Sequence, residues 1–261
     1  MCSSDLDSVH STLSVLGVVE DDLATVGQVD GIAPSEDIRS VRFDGTRAFI
    51  VTFKKTDPLF VFDLSDPRAP TKMGELKIPG FSTYMHMMDA SHLLTLGYDA
   101  EDEGDFAWFS GVLIQVFDVT DPANPTRQHA HEIGTRGSSS EALTNHLAFN
   151  YFDPLHLLAL PMTVCEGGSG GSYGTEMTFN GLMVFDVTVD GGIVEKGRVT
   201  HPNSGTSGYD DYACSSWWTN ASTEVKRSIF MDDWVFSISE RRIKVNRLSN
   251  LGEDVVEVSL E

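Results

Sequence analysis

Basic side chains are scarce in this chain. Lys and Arg total 18 against 39 Asp and Glu, a formal charge of −21 over 261 residues. A field of that sign repels nucleic acid and anionic lipid. It favours solubility, cations and basic partners. Long apolar runs are missing as well. No stretch approaches the roughly 20 residues of a membrane helix, so no membrane insertion is expected. No window shows the apolar period of an amphipathic helix. G-x-S-x-G, H-E-x-x-H and the phosphate loop are all absent. Gly167–Gly171 is glycine-rich, yet it has no Lys-Ser/Thr and no helix follows to hold phosphate.

What is present is a phrase written three times. Val61-Phe62-Asp63-Leu64-Ser65-Asp66-Pro67 returns as Val116-Phe117-Asp118-Val119-Thr120-Asp121-Pro122. It returns more loosely as Val184-Phe185-Asp186-Val187-Thr188-Val189-Asp190. A strand followed by an Asp-Pro turn, repeated, reads as an all-β array of propeller blades. The Asp side chains suit turn N–H groups, and Pro fixes φ where no ladder donor is needed.

Short runs of Val, Ile, Phe and Leu broken by Asp, Gly and Pro divide the chain into four units of four strands. The units span 35–80, 81–139, 140–221 and 222–261. In the third, the innermost strand is expected at Asn145–Phe149. Residues 7–34 read as the last strands of a preceding blade. Met1-Cys2-Ser3-Ser4-Asp5-Leu6 resembles a translated sequencing adapter, so residues 1–6 read as an artefact. A propeller must close to hide its edges. About four and a half blades therefore read as the C-terminal part of a larger ring, with the N-terminal part missing.

Besides Cys2, the chain has Cys165 and Cys214, each in a polar loop. Neither has the C-x-x-C partner of a zinc site. One disulfide in an exported protein is the reading adopted.

Aligning the units exposes polar residues before each innermost strand. Glu36, Glu141 and Glu224 follow Ser or Thr, and Arg39 and Arg227 come three residues after the first and last of these. Tyr84 and His146 occupy related places. Innermost strands line the axis of a propeller, so Glu36, Arg39, Tyr84, Glu141, His146, Glu224 and Arg227 are expected to form a polar ring at one mouth. Two readings fit it. One is a set of interblade salt bridges and caps, since buried charges demand partners. The other is a site for a small polar ligand or a cation.

Asp99, Glu101, Asp102, Glu103 and Asp105 crowd one insert. Flexible oxygen-rich loops take Ca²⁺, although the EF-hand pattern is absent. A hydrated acidic loop is the other reading. Phe106-Ala107-Trp108-Phe109 follows, and either folds back on its blade or forms a binding edge. Trp217-Trp218 poses the same question.

The phrases Val61–Pro70 and Val116–Pro125, with Ser40-Val41-Arg42-Phe43, Gly74–Tyr84 and Val225-Lys226-Arg227-Ser228, resemble the LVIVD-type repeat. They are similar to the secreted β-propeller-domain proteins of bacteria and archaea. That resemblance implies a propeller and an extracellular or cell-envelope location, and it implies no reaction. The functional expectation is a non-enzymatic binding or scaffold module for a protein, a small polar ligand or a cation. A metal-assisted hydrolase using the axial ring and a structural cell-surface repeat are the alternatives.

Overall fold

The protein is described by a computed structural model covering residues 10–53, 57–102, 107–168, 171–201, 214–215 and 223–260. It is all-β. A hairpin of β1 (Ser11–Val19) and β2 (Asp22–Ile32) precedes four larger sheets. The first sheet comprises β3 (Asp37–Asp44), β4 (Arg47–Phe53), β5 (Asp57–Asp63) and β6 (Thr71–Ile78). The second comprises β7 (Phe81–Met87), β8 (His92–Asp102), β9 (Ala107–Asp118) and β10 (Thr126–Ile133). The third holds β11 (Ser139–Ser140), β12 (Asn150–Phe152), β13 (Leu157–Glu166), β14 (Glu176–Thr188) and β15 (Gly192–Thr200). The fourth holds β16 (Val225–Met231), β17 (Trp234–Ser239), β18 (Arg242–Arg247) and β19 (Asn250–Ser259). Pairing is antiparallel throughout and sequential except in the third sheet, where β11 and β12 both pair with β13; successive sheets pack on one another as blades I to IV.

The packing follows from the side-chain period of two. In β4, Ala48 and Ile50 point to the hairpin side, where they meet Leu13, Ile32, Phe60 and Phe62. Phe49 and Val51 point the other way, onto Met85, Leu93 and Phe117 of blade II. The next interface stacks Leu94, Leu96, Ile114 and Val116 on Leu158, Leu160, Met162 and Phe185. The last stacks Leu157, Ala159, Leu182 and Val184 on Val225, Val235 and Leu251. Both faces of a middle strand are buried, so it reads as a continuous apolar run.

The outermost strands share a device that the sequence reading passed over. Each bulges by one residue, at Val26, Met73, Gln128, Lys196 and Val255. In three of them the next residue is glycine: Gly27, Gly74 and Gly197. The Asp-Pro turn of the following blade sits against two of these. A Cβ on Gly27 would strike the Pro67 carbonyl, and one on Gly74 would lie 2.5 Å from the Pro122 carbonyl oxygen. The turns are built as their residues require. Asp63 accepts from the Ser65 N–H at 2.8 Å, and Asp118 from the Thr120 N–H at 2.8 Å.

Blade III departs from expectation. Residues 145–149 do not form its innermost strand. That strand is split into β11 and β12, and 3-10 turns at Glu141–Leu143 and His146–Ala148 fill the break. Two local bonds favour the turns. The Ser140 Oγ accepts from the Ala142 N–H, and the Asn145 Oδ1 from the Leu147 N–H. Such side chains compete with a strand ladder. Opposite the break stands Pro161, which has no N–H to offer; its carbonyl accepts from the Ser140 Oγ at 2.6 Å.

Gly74→Ala tests the bulge-and-turn contact. It is expected to lower unfolding free energy by about 1–3 kcal/mol in chemical denaturation, because a methyl group has nowhere to go. Gly252→Ala, where an added Cβ meets nothing within 4 Å, should change it by less than about 0.5 kcal/mol. Equal losses would show that the contact is not what holds adjacent blades in register.

Candidate functional site

The innermost strands β3, β7 and β16 begin on one face of the array, and Ser40 Oγ of β3 donates to the Ser82 carbonyl of β7 at 2.7 Å. Each bulges near its start, at Arg39, Thr83 and Lys226. Register therefore matches Arg39 with Lys226, and places Arg227 with Ser40 and Tyr84. The offset arises because Glu224 lies two residues before the bulge of its strand and Glu36 three.

The polar residues of this mouth are mostly tied to neighbours. Glu36 accepts from the Thr52 Oγ1 at 2.5 Å. Arg39 lies 3.7 Å from Asp37, with its guanidinium 5.8 Å from the Phe53 ring centre and 5.5 Å from that of Phe81. Tyr84 packs on Phe149 at 4.6 Å between ring centres. Glu141 holds Lys226 of blade IV at 3.0 Å and accepts from Asn145 at 3.3 Å. The Glu224 N–H donates to the Asn180 Oδ1 at 2.9 Å. Arg227 has a buried Nη1 without a hydrogen bond among the described residues. His146 stands exposed on its 3-10 turn. Glu141 with Lys226 is an ion pair between blades III and IV.

In the acidic insert, Asp99 is half-buried on β8. Glu101 and Asp102 continue the ladder opposite Trp108 and Ala107. Glu103, Asp105 and Phe106 lie outside the described residues, as do Trp217 and Trp218. Among the described residues no three His, Cys, Asp or Glu side chains are placed to hold a metal ion. Trp108 and Phe109 fold back on the blades. Phe109 meets Phe53 at 5.5 Å and Phe81 at 5.2 Å. Trp108 stacks under the Arg136 guanidinium at 4.6 Å, with Tyr173 on the guanidinium at 4.3 Å. Beside this sandwich, Cys165 and Cys214 form a disulfide with Cα atoms 5.8 Å apart.

The opposite face carries a cleft of about 590 Å³ between blades II and III, lined by Met88, Asp89, Tyr151, Asp153, His156 and Asp190 among others. Tyr151 donates to the Val187 carbonyl at 3.3 Å. Burial, with Asp153 and Asp89 nearby, pushes its phenol up to about 12. Partial burial opposes ionisation of Asp89, but bonds from the Ser91 N–H and His92 outweigh it and hold the carboxyl below the usual range.

The beta propeller domain family matches residues 3–251 of this chain. The chain belongs to the beta propeller domain family. An uncharacterized protein of Archaeoglobus fulgidus is 42% identical over 134 residues, 51% of this chain and 20% of that protein. An uncharacterized protein of Methanocaldococcus jannaschii is 35% identical over 144 residues, 55% of this chain and 22% of the relative. The matched stretch thus spans about a fifth of each relative. A crystal structure of a Lactobacillus plantarum protein aligns over 96% of this chain and 68% of its own, with a TM-score of 0.47 and 13% identity. Among the described residues no helix is long and apolar enough to cross a membrane.

The propeller also holds a buried polar junction between blades III and IV that periodicity could not reveal. Lys244 is 8% exposed in its side chain; its Nζ lies 2.6 Å from Asp254 and donates to the Thr200 carbonyl at 2.9 Å. His201, fully buried, meets the Ser237 Oγ at 2.7 Å. Burial pushes the His201 imidazole down to about 4, and the Lys244 and Arg242 charges push the same way. The folded protein therefore holds His201 neutral, while the unfolded chain protonates it near the ordinary value of about 6.5. Acidification through that window adds a proton to the unfolded state alone, so the His201 contribution to stability falls as pH drops from about 6.5 to about 4. The NMR titration of its Cε1–H should have its midpoint near 4; a midpoint near 6.5 would contradict this placement.

The disulfide closes 49 residues of chain. Its removal by Cys165→Ser with Cys214→Ser is expected to cost about 4 kcal/mol on the loop-entropy relation. Equilibrium denaturation of oxidised protein and double variant measures it, and no difference would refute the cross-link's structural role.

Proposed function

We propose that this propeller is a non-enzymatic binding or scaffold module of the extracellular space or cell envelope, one that takes a protein, a small polar ligand or a cation. The observation that carries this reading is the commitment of two mouth carboxylates, those of Glu36 and Glu141. Glu36 is engaged by Thr52, and Glu141 by Lys226 and Asn145. A general base or metal ligand needs a carboxylate directed at substrate; these two join strands and blades instead. The disulfide supports an oxidising compartment. The cleft between blades II and III offers a concavity with convergent polar groups.

The same reading takes the β1–β2 hairpin as the outer half of a preceding blade. Its bulge at Val26 before Gly27 repeats Met73 before Gly74, and Gly27 receives the blade I turn just as Gly74 receives that of blade II. Leu23 (73% exposed) and Phe43 (57%) lie bare at that end of the array, and Met231 (55%) at the other. Propeller closure covers such faces. A full-length gene that encodes two further strands just upstream is the expected finding; one that encodes none overturns this part.

The enzyme alternative is tested directly. Esterase, phosphatase and glycosidase panels, with and without divalent metals, should show no turnover. Glu141→Gln should lower stability by roughly 1–3 kcal/mol, since it leaves Lys226 without its charge partner in a half-buried setting. Turnover that disappears in Glu36→Gln or Glu141→Gln while the fold persists would replace the binding reading with a hydrolase.

A further inference from the structure

The turns after the innermost strands of blades I, II and III repeat an acid followed three residues later by a base: Asp44 and Arg47, Asp89 and His92, Asp153 and His156. In blade I the Arg47 guanidinium donates to Asp44 at 2.6 Å and reaches across to the Ala90 carbonyl of blade II at 2.7 Å. It also covers the Phe49 ring at 5.5 Å. The chain itself thus seats a guanidinium between two blade turns. In blade II the base is a shorter imidazole. His92 folds back on its own Asp89 at 2.8 Å, and no bond from it to the blade III turn appears among the described residues. The cleft opens between those two turns.

We infer that the cleft between blades II and III binds an alkylguanidinium group supplied by a ligand, in the place that Arg47 fills between blades I and II. This rests on the binding-module reading and names the ligand class of its cleft.

Four features of the cleft fit that chemistry. First, the Asp153 and Asp190 carboxylates have no hydrogen bond or ion pair among the described residues, although Asp153 lies close enough to act on both His86 and Tyr151. Second, among the described residues no three acid, His or Cys side chains converge closely enough to hold a metal ion. A planar cation with several donors can bridge separated acceptors where a bare ion cannot. Third, the Tyr151 phenol stays neutral at pH 7, and its oxygen, 3.4 Å from the His156 Nδ1, can accept from a donor in the cleft. Fourth, the −21 charge of the chain draws cations toward the site. Guanidinium is favoured over ammonium because its fixed fork matches carboxylates and its flat face tolerates Met88 and the Tyr151 ring.

The group can arrive on a free small molecule or on an arginine side chain, and the experiment separates these. Titrations at low salt, read by calorimetry and by NMR shifts of Tyr151 and His156, use four probes. They are N-acetyl-arginine amide, N-acetyl-lysine amide, N-acetyl-citrulline amide and a Gly/Ser peptide with one arginine. Both arginine probes should saturate the cleft. Tighter binding of the peptide assigns the ligand to a polypeptide; equal binding assigns it to a small molecule. The lysine probe should bind more weakly, and citrulline, which matches arginine in shape without its charge, should not saturate. Asp153→Asn should weaken arginine binding roughly 10-fold, the loss of one charge-assisted hydrogen bond. His92→Arg should abolish it, because it returns an internal guanidinium to the place that blade I fills with Arg47, and should raise the melting temperature. Citrulline binding as tight as arginine, or arginine binding unchanged in both variants, overturns the inference. Either result with no turnover in the enzyme panels removes the guanidinium assignment alone; turnover lost in Glu141→Gln removes the module reading beneath it.

Discussion

Everything in this molecule hangs on middle strands that are apolar on both faces. A strand such as β4 sends alternate residues into two different cores. Each buried Leu, Ile or Phe contributes about 1.5–3 kcal/mol only if a sheet covers it. No sheet here is self-sufficient, because one covered face leaves the other wet. Stacking is the solution, and it sets the demand that every blade have a neighbour on each side. The glycines that follow the outer bulges are a consequence. Close stacking brings the Asp-Pro turn of one blade onto the backbone of the one before, and a side chain there would separate them.

Where the repeat is regular, polar groups serve the stacking. Asp63 and Asp118 cap their turns. Lys244 spans from blade IV to the Thr200 carbonyl of blade III, and Glu141 holds Lys226 across the same junction. Such charges are expensive to bury and are retained only with partners. Where the repeat breaks, space and unsatisfied chemistry appear together. The split innermost strand of blade III places 3-10 turns near the axis. The replacement of Arg47 by the shorter His92 leaves a cleft where blade I has a clamp. An array of near-identical units makes such exceptions conspicuous, and ligand sites commonly occupy the irregular places of a regular scaffold.

The sequence reading recovered an all-β array of four-stranded sheets, because alternation and Asp-Pro punctuation are local signals. It failed at Asn145–Phe149 because Ser140 and Asn145 bond to their own backbone and Pro161 faces the gap. That competition depends on a strand distant in sequence. Spacing from a preceding acid cannot see the bulges at Arg39 and Lys226 that reset the register. The acid-to-base spacing at the blade turns was visible in the sequence, but its meaning was not, since only the reach of Arg47 to Ala90 shows what the base is for.

The amino-acid sequence by itself determined the fold class and the four-strand plan of its units. These follow from short-range periodicity and from turn chemistry. Two loop cysteines made a disulfide the expected reading, and the approach of Cys165 to Cys214 at 5.8 Å between Cα atoms belongs to the tertiary structure. Tertiary structure decided which charges join blades, that His201 is held neutral, and that one junction is open while its neighbour is closed. Those outcomes depend on distances between residues from different sheets. A repeat unit read alone carries no information about how far a side chain must reach to touch the next.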